Sequence, residues 1–175
     1  MTEQTAAATT DPAGATSAEI SPKAPPLPPR LFIRLAWMGH RAIYRFTGGR
    51  RGIWRPRPGH WGAMRLRTVG RRSGLERLAI VAYLEDGQNL VTMAMNGWGA
   101  PEPAWWLNLQ AHPEAVVETK DGRRAVRGRV ASGEERERLW ERWREVSRAV
   151  DAYAVRRPNE TAVVVLEPRT DRAVG

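Results

Sequence analysis

The chain is 175 residues long, 42% hydrophobic and 27% charged, with 28 Lys+Arg against 19 Asp+Glu for a formal charge of +9, and it has no cysteine. That length and composition suit one globular domain with its own core. The missing cysteines exclude disulfide scaffolds, cysteine-ligated zinc, iron–sulfur clusters and thiol nucleophiles.

Residues 1–30 hold six of the 13 prolines and little that is large and apolar before Leu27. Such a segment cannot bury enough surface to offset chain entropy, so it reads as a disordered Pro/Ala/Thr-rich tail. It lacks the basic region, apolar run and small-residue cleavage pattern of a secretory signal, and no stretch is apolar for long enough to span a bilayer. Residues 31–46 read as a basic amphipathic helix: Arg34, Arg41 and Arg45 fall on one side, and Phe32, Leu35, Trp37, Ile43 and Phe46 occupy most of the rest. That pattern suits packing on the protein's own sheet first, as most amphipathic helices do, and lying on an anionic membrane surface second.

From residue 63 the pattern changes to short strands. Residues 64–69, 77–84 and 90–95 read as strands, with Asp86-Gly87 marking a hairpin between the last two. Residues 103–113 read as a short helix stopped by Pro113. A second hairpin, 115–120 with 124–131, turns at Asp121-Gly122. Ser132-Gly133-Glu134-Glu135 has the form of a capping box, opening a charged helix to about Val150 that buries Leu139, Trp140, Trp143 and Val146. A last buried strand follows at 161–166. Antiparallel hairpins with helices and no βαβ alternation predict an α+β, mainly β fold. Residues 47–169 form a small β-barrel with flanking helices, and 170–175 are a C-terminal tail.

The charge is unevenly placed. Residues 30–77 carry thirteen arginines and one acid, Glu76, a local charge of +12, while the rest of the chain sums to −3. This points to an anionic partner: phosphate, a carboxylate-rich ligand, a lipid headgroup or nucleic acid. The loop within TVGRRSGLER (68–77) is the natural site. Its two glycines allow tight turning, its N–H groups can form an anion nest, and Arg71, Arg72 and Arg77 supply planar forks for oxyanions. No dinucleotide fingerprint, phosphate loop, zinc-protease helix or nucleophile elbow is present. His40, His60 and His112 lack metal-ligand spacing, so no metal site is expected. Chemistry in this chain is expected to come from a bound cofactor.

TVGRRSGLER, the Tyr83-Leu84-Glu85-Asp86-Gly87 turn, Ala94-Met95-Asn96-Gly97, and the run from Pro103-Ala104-Trp105-Trp106-Leu107-Asn108-Leu109 to His112-Pro113, in this order and spacing, resemble the deazaflavin (F420)-dependent nitroreductase family. The resemblance runs from about residue 63 to 168. It implies a split β-barrel, akin to FMN-binding barrels, and use of coenzyme F420, an 8-hydroxy-5-deazaflavin whose tail carries a phosphodiester and several glutamates. By the family's pattern Arg71, Arg72, Ser73 and Arg77 hold the phosphate and carboxylates. Leu78, Ala79, Ile80, Met93, Ala94, Met95, Asn96, Ala104, Trp105, Trp106, Leu107 and Asn108 line the deazaflavin, and Tyr153 orients the substrate or donates a proton. The implied activity is hydride transfer from the reduced deazaflavin to an electron-poor small molecule, a quinone, enone or nitro compound.

The chain departs from the pattern at Met95, where the family has serine, at Ser147 and Val150, where it has tyrosines, and at Ile80, where proline is common. These changes put nitroimidazole reduction in doubt. FMN or haem in the same barrel is the alternative cofactor reading, and a basic nucleic-acid-binding module ranks behind both. The expected location is the cytoplasm, with residues 31–46 as a contact with the inner face of the membrane, no nucleic-acid partner, and the oligomeric state left open.

Overall fold

The computed structural model describes residues 52–95 and 101–169. The predicted tail and helix at 1–46, Asn96, Gly97 and the tail at 170–175 lie outside them.

Six strands close into an antiparallel barrel in the order β1-β2-β3-β6-β5-β4: β1 Gly62–Val69, β2 Glu76–Asp86, β3 Asn89–Met93, β4 Glu114–Thr119, β5 Gly122–Val130 and β6 Val163–Pro168. Three helices accompany them: α1 Ala104–Ala111, α2 Gly133–Val146 and α3 Val150–Ala154. The β2–β3 hairpin turns through Gly87 and Gln88, with Asp86 paired to Asn89. Gly87 is at φ +61°, the backbone that the first central position of a II′ turn requires and that favours glycine.

Strand alternation sorts the side chains into two cores. Val81 and Tyr83 of β2, Leu90 of β3 and Val164 and Leu166 of β6 point into the barrel, where they meet Met64, Leu66, Val117 and Val126. The intervening Leu84, Val91, Val163 and Val165 point outward and are covered by Leu139, Trp140 and Trp143 of α2 and Val150 of α3. Fully burying side chains of this size contributes about 1.5–3 kcal/mol each. α1 supplies Trp105, Trp106 and Leu109 to the interior core. At β5 the helix comes close enough that a Cβ on Gly128 would sit 3.1 Å from Leu109 Cδ1.

Two predictions at α2 fail. Ser132 is the N-cap, but its hydroxyl makes no capping bond. Glu135 does not reach back to it, because its carboxylate takes both terminal nitrogens of Arg129, at 2.6 and 2.8 Å. The helix also stops at Val146 and restarts at Val150. In a continuous helix Asp151 would lie about 16 Å from Trp140. The break folds it back, so that Asp151 Oδ1 accepts Trp140 Nε1 at 2.8 Å and Asp151 Oδ2 accepts Arg144 Nε at 2.9 Å.

Candidate functional site

At one end of the barrel the β1–β2 loop lies against α1. The loop is tight: Ser73 and Gly74 both donate to Gly70 O, and Gly70 N donates to Leu75 O at 2.8 Å. A Cβ on Gly70 would lie 2.9 Å from Ser73 Oγ and 3.0 Å from Leu75 O, so any side chain here would press on the loop. Arg71 N donates to Asn108 Oδ1 at 3.2 Å, its guanidinium reaches the same oxygen at 3.4 Å, and Asn108 Nδ2 donates to Thr68 Oγ1 at 3.1 Å. A single buried amide therefore joins the loop to α1. Most of the backbone anion nest read from the sequence is used up within the protein: the N–H groups of Arg71, Ser73, Gly74 and Leu75 all have acceptors there.

The side chains are another matter. Three arginines of the stretch are neutralised by acids: Arg55 by Asp121, Arg65 by Glu118 at 2.6 Å and Arg67 by Glu76 at 2.5 Å. Arg71, Arg72 and Arg77 are exposed, and among the described residues none has a carboxylate partner. Arg77 donates to Ser73 Oγ at 3.2 Å, which sets its fork beside the loop.

The residues expected to line a ring divide between the two cores. On β2, Ala79 packs toward the interior, while Leu78 and Ile80 lie on the opposite face, opposite Arg67 and Arg65 of β1. Leu78 is 39% exposed. Met93 and Met95 pack with the outer core and Ala94 with the inner one. Ala104 is exposed and Leu107 half-buried. Trp105 and Trp106 are both core residues, meeting edge to face with centroids 6.3 Å apart. Tyr153 is half-buried on α3, and among the described residues no side-chain hydrogen bond joins it to the other candidates. Its helix neighbours Val150 and Ala154 do share the outer core with Met95. Val150 is therefore a packing residue, and Ser147 is the C-cap of α2.

One participant escapes sequence reasoning. Arg157, just beyond α3, donates from one terminal nitrogen to Ala94 O and from the other to Glu102 Oε1 at 2.7 Å. Nothing in the local sequence marks it, because its partners lie 63 and 55 residues away.

The sequence profile of the F420H(2)-dependent quinone reductase family matches residues 37–168, most of the chain. The chain belongs to that family. A Mycobacterium tuberculosis (strain ATCC 25618 / H37Rv) relative bearing the name F420H(2)-dependent quinone reductase, Rv3178, is 38% identical over 84 residues, 48% of this chain and 66% of that protein. F420H(2)-dependent quinone reductase Rv1261c of the same strain is 30% identical over 104 residues, 58% of this chain and 68% of that one. The matches thus span about two thirds of these relatives. A solved F420-H2 dependent reductase (FDR-A) superposes with a TM-score of 0.56 at 24% identity, over 66% of this chain and 98% of that one. The split barrel and the deazaflavin dependence expected from the motifs are both met, and the family's named acceptor is a quinone.

The donor set fits the cofactor. Three guanidiniums without carboxylate partners suit a phosphodiester followed by glutamates, and charge-assisted bonds of this kind contribute about 1.5–3 kcal/mol each. Among the described residues no cluster of His, Asp and Glu could hold a metal ion, and no helix is long and apolar enough to cross a membrane.

Proposed function

We propose that this member of the F420H(2)-dependent quinone reductase family passes reducing equivalents from F420H2 to a quinone. Arg71, Arg72 and Arg77 hold the tail, with Ser73 bonding beside them. The observation that carries this reading is the contrast between these three exposed arginines, which have no carboxylate partner among the described residues, and their neutralised neighbours Arg55, Arg65 and Arg67. When bound, the reduced deazaflavin supplies a hydride. The chain's own part is to fix the cofactor against the Leu78–Ile80 strip of β2 and the first turns of α1, and to keep water from the acceptor. Tyr153 is assigned to orienting the acceptor or giving it a proton. Enones and nitro compounds are secondary acceptors. Burial of Val150 and the methionine at position 95 remove polar contacts that a nitroimidazole pocket of the tyrosine-rich kind would use.

A lipophilic quinone would be met at a membrane surface. Contact there is assigned to residues 31–46. A second feature supports it: Trp54 and Trp61 pair at 5.3 Å across a small hairpin, both partly exposed, beside the exposed Arg57. Indoles and arginines of this kind favour an anionic headgroup layer.

Fluorescence titration with F420 tests the core of the reading. Micromolar or tighter binding is expected, weakened at least tenfold by Arg72→Ala or Arg77→Ala and by raised salt; undetectable binding overturns it. A titration in which FMN binds and F420 does not would transfer the site to a flavin. Turnover with a quinone, enone and nitroaromatic panel ranks the acceptors.

A further inference from the structure

The Arg157 side chain is 2% exposed, yet it carries a charge. Its backbone N–H donates to Ala154 O at 3.0 Å, which ties it to the end of the helix that bears Tyr153. Its guanidinium then reaches two other segments. Ala94 is the first residue after β3, and Glu102 stands directly before Pro103, the N-cap of α1. One planar fork therefore links the exit of β3, the entry to α1 and the end of α3. Ala94 is held from its other side as well, its N–H donating to Ala162 O at 2.9 Å.

Stability alone is a poor account of this arrangement. Desolvating a guanidinium and a carboxylate costs much of what their attraction returns, and buried ion pairs replaced by apolar groups of similar volume often leave a protein no less stable. The network is also incomplete among the described residues, where Arg157 Nε and Glu102 Oε2 are both buried with no hydrogen-bond partner. What a rigid two-pronged donor does supply is a fixed separation between the two acceptors it bridges.

We propose that Arg157 is a positioning residue for the ring end of the cofactor site, holding the 93–95 strip, the first turn of α1 and the helix of Tyr153 in one register. This rests on the functional reading above. Arg157 acts through Ala94 and Glu102 and has no part in holding the phosphate tail, which belongs to Arg71, Arg72 and Arg77.

The experiment separates ring from tail with two probes, F420 itself and the deazaflavin riboside that lacks the phosphate and glutamates, each titrated by fluorescence into the full chain. Arg157→Met is expected to weaken both probes in parallel, on the order of tenfold, the loss of about one charge-assisted bond. Arg72→Ala is expected to weaken F420 alone. Arg157→Lys, which keeps the charge and loses the fork, recovers part of the affinity, and Glu102→Gln gives a smaller parallel loss. The last two carry the test should the methionine variant fail to fold. Unchanged affinity for the riboside in Arg157→Lys and Glu102→Gln overturns the proposal, whatever happens to Tm. Wild-type protein that binds neither probe overturns the functional reading instead.

Discussion

Arg71 and Asn108 lie 37 residues apart in sequence and meet through two hydrogen bonds to one amide oxygen, at 3.2 Å from the Arg71 backbone and 3.4 Å from its guanidinium. Asn108 is buried and also donates to the buried Thr68, so the loop, β1 and α1 share one side chain. Asn108→Ala strands the Thr68 hydroxyl and the Arg71 N–H together. A loss of about 1–3 kcal/mol in urea unfolding is expected, with weaker F420 binding alongside. Asn108→Asp keeps the acceptor but puts a carboxylate on Arg71 beside the anionic tail and loses the donor to Thr68, so it is expected to weaken F420 at least as far as the alanine variant. Wild-type F420 affinity in Asn108→Ala would mean that the loop holds its shape without this anchor.

The N-terminus of α2 offers a contrast between an apparent cap and a real contact. Ser132 makes no side-chain capping bond, so Ser132→Ala should change stability by less than about 0.5 kcal/mol, where a working cap would cost about 1 kcal/mol. Glu135 bridges α2 to β5 through Arg129, which also bonds Glu167 of β6 at 2.7 Å. Glu135→Ala should therefore destabilise more than Ser132→Ala. Thermal melts of the two variants side by side decide it, and the reverse order would restore the capping box.

What was legible in the sequence was local. Asp86-Gly87 and Asp121-Gly122 announce their hairpins because turn chemistry lies within a few residues, and the continuous apolar run of β6 reads directly as a strand buried on both faces. Barrel closure through β1–β4 and β3–β6 pairing is non-local and leaves no local mark. The break after Val146 has no Gly or Pro to signal it: Ser147, Arg148 and Ala149 all tolerate a helix, and the turn is selected by Asp151 folding back onto Trp140 and Arg144. The tail site was legible as arginines in a glycine loop. Its backbone offers fewer free donors than the sequence suggests, because the tight turn and Asn108 take most of its N–H groups. Arg157 was invisible for the same reason as the barrel closure.

Tyr83 sits inside the barrel opposite Gly62, and its buried hydroxyl has no partner among the described residues. Burial, with Glu85 and Asp121 adding to it, pushes its ionisation up to about 12. Removing an unsatisfied hydroxyl of unchanged shape is expected to be neutral or stabilising by up to about 1 kcal/mol, so Tyr83→Phe should keep or raise Tm at pH 7. The sign at high pH follows. The unfolded phenol loses its proton from about pH 10 and the folded one only near 12, so folding stability falls across that window. Tyr83→Phe should flatten that part of the alkaline limb. A clear loss of stability at pH 7 would reveal a hydrogen bond to this hydroxyl.

Acid acts on the joints between the helices and the barrel. Asp86, at the β2–β3 turn, accepts both terminal nitrogens of Arg138 at 2.9 Å each and one from Arg142 at 2.9 Å, and its carboxyl is held below the usual range chiefly by the Arg138 bond. Glu135 is lowered by its bonds to Arg129, and Asp151 by those to Arg144. A carboxylate whose folded pKa is depressed adds stability above its unfolded value, about 4, and that stability is lost as pH falls through the folded one. Unfolding free energy should thus stay level from pH 7 to about 5 and decline below about 4. These groups are partly exposed, so each share is small and shrinks with salt. Asp86→Asn should be less stable than the parent at pH 7 and show a shallower acid slope, the two curves converging as pH falls. Parallel curves for parent and variant would place the acid sensitivity elsewhere.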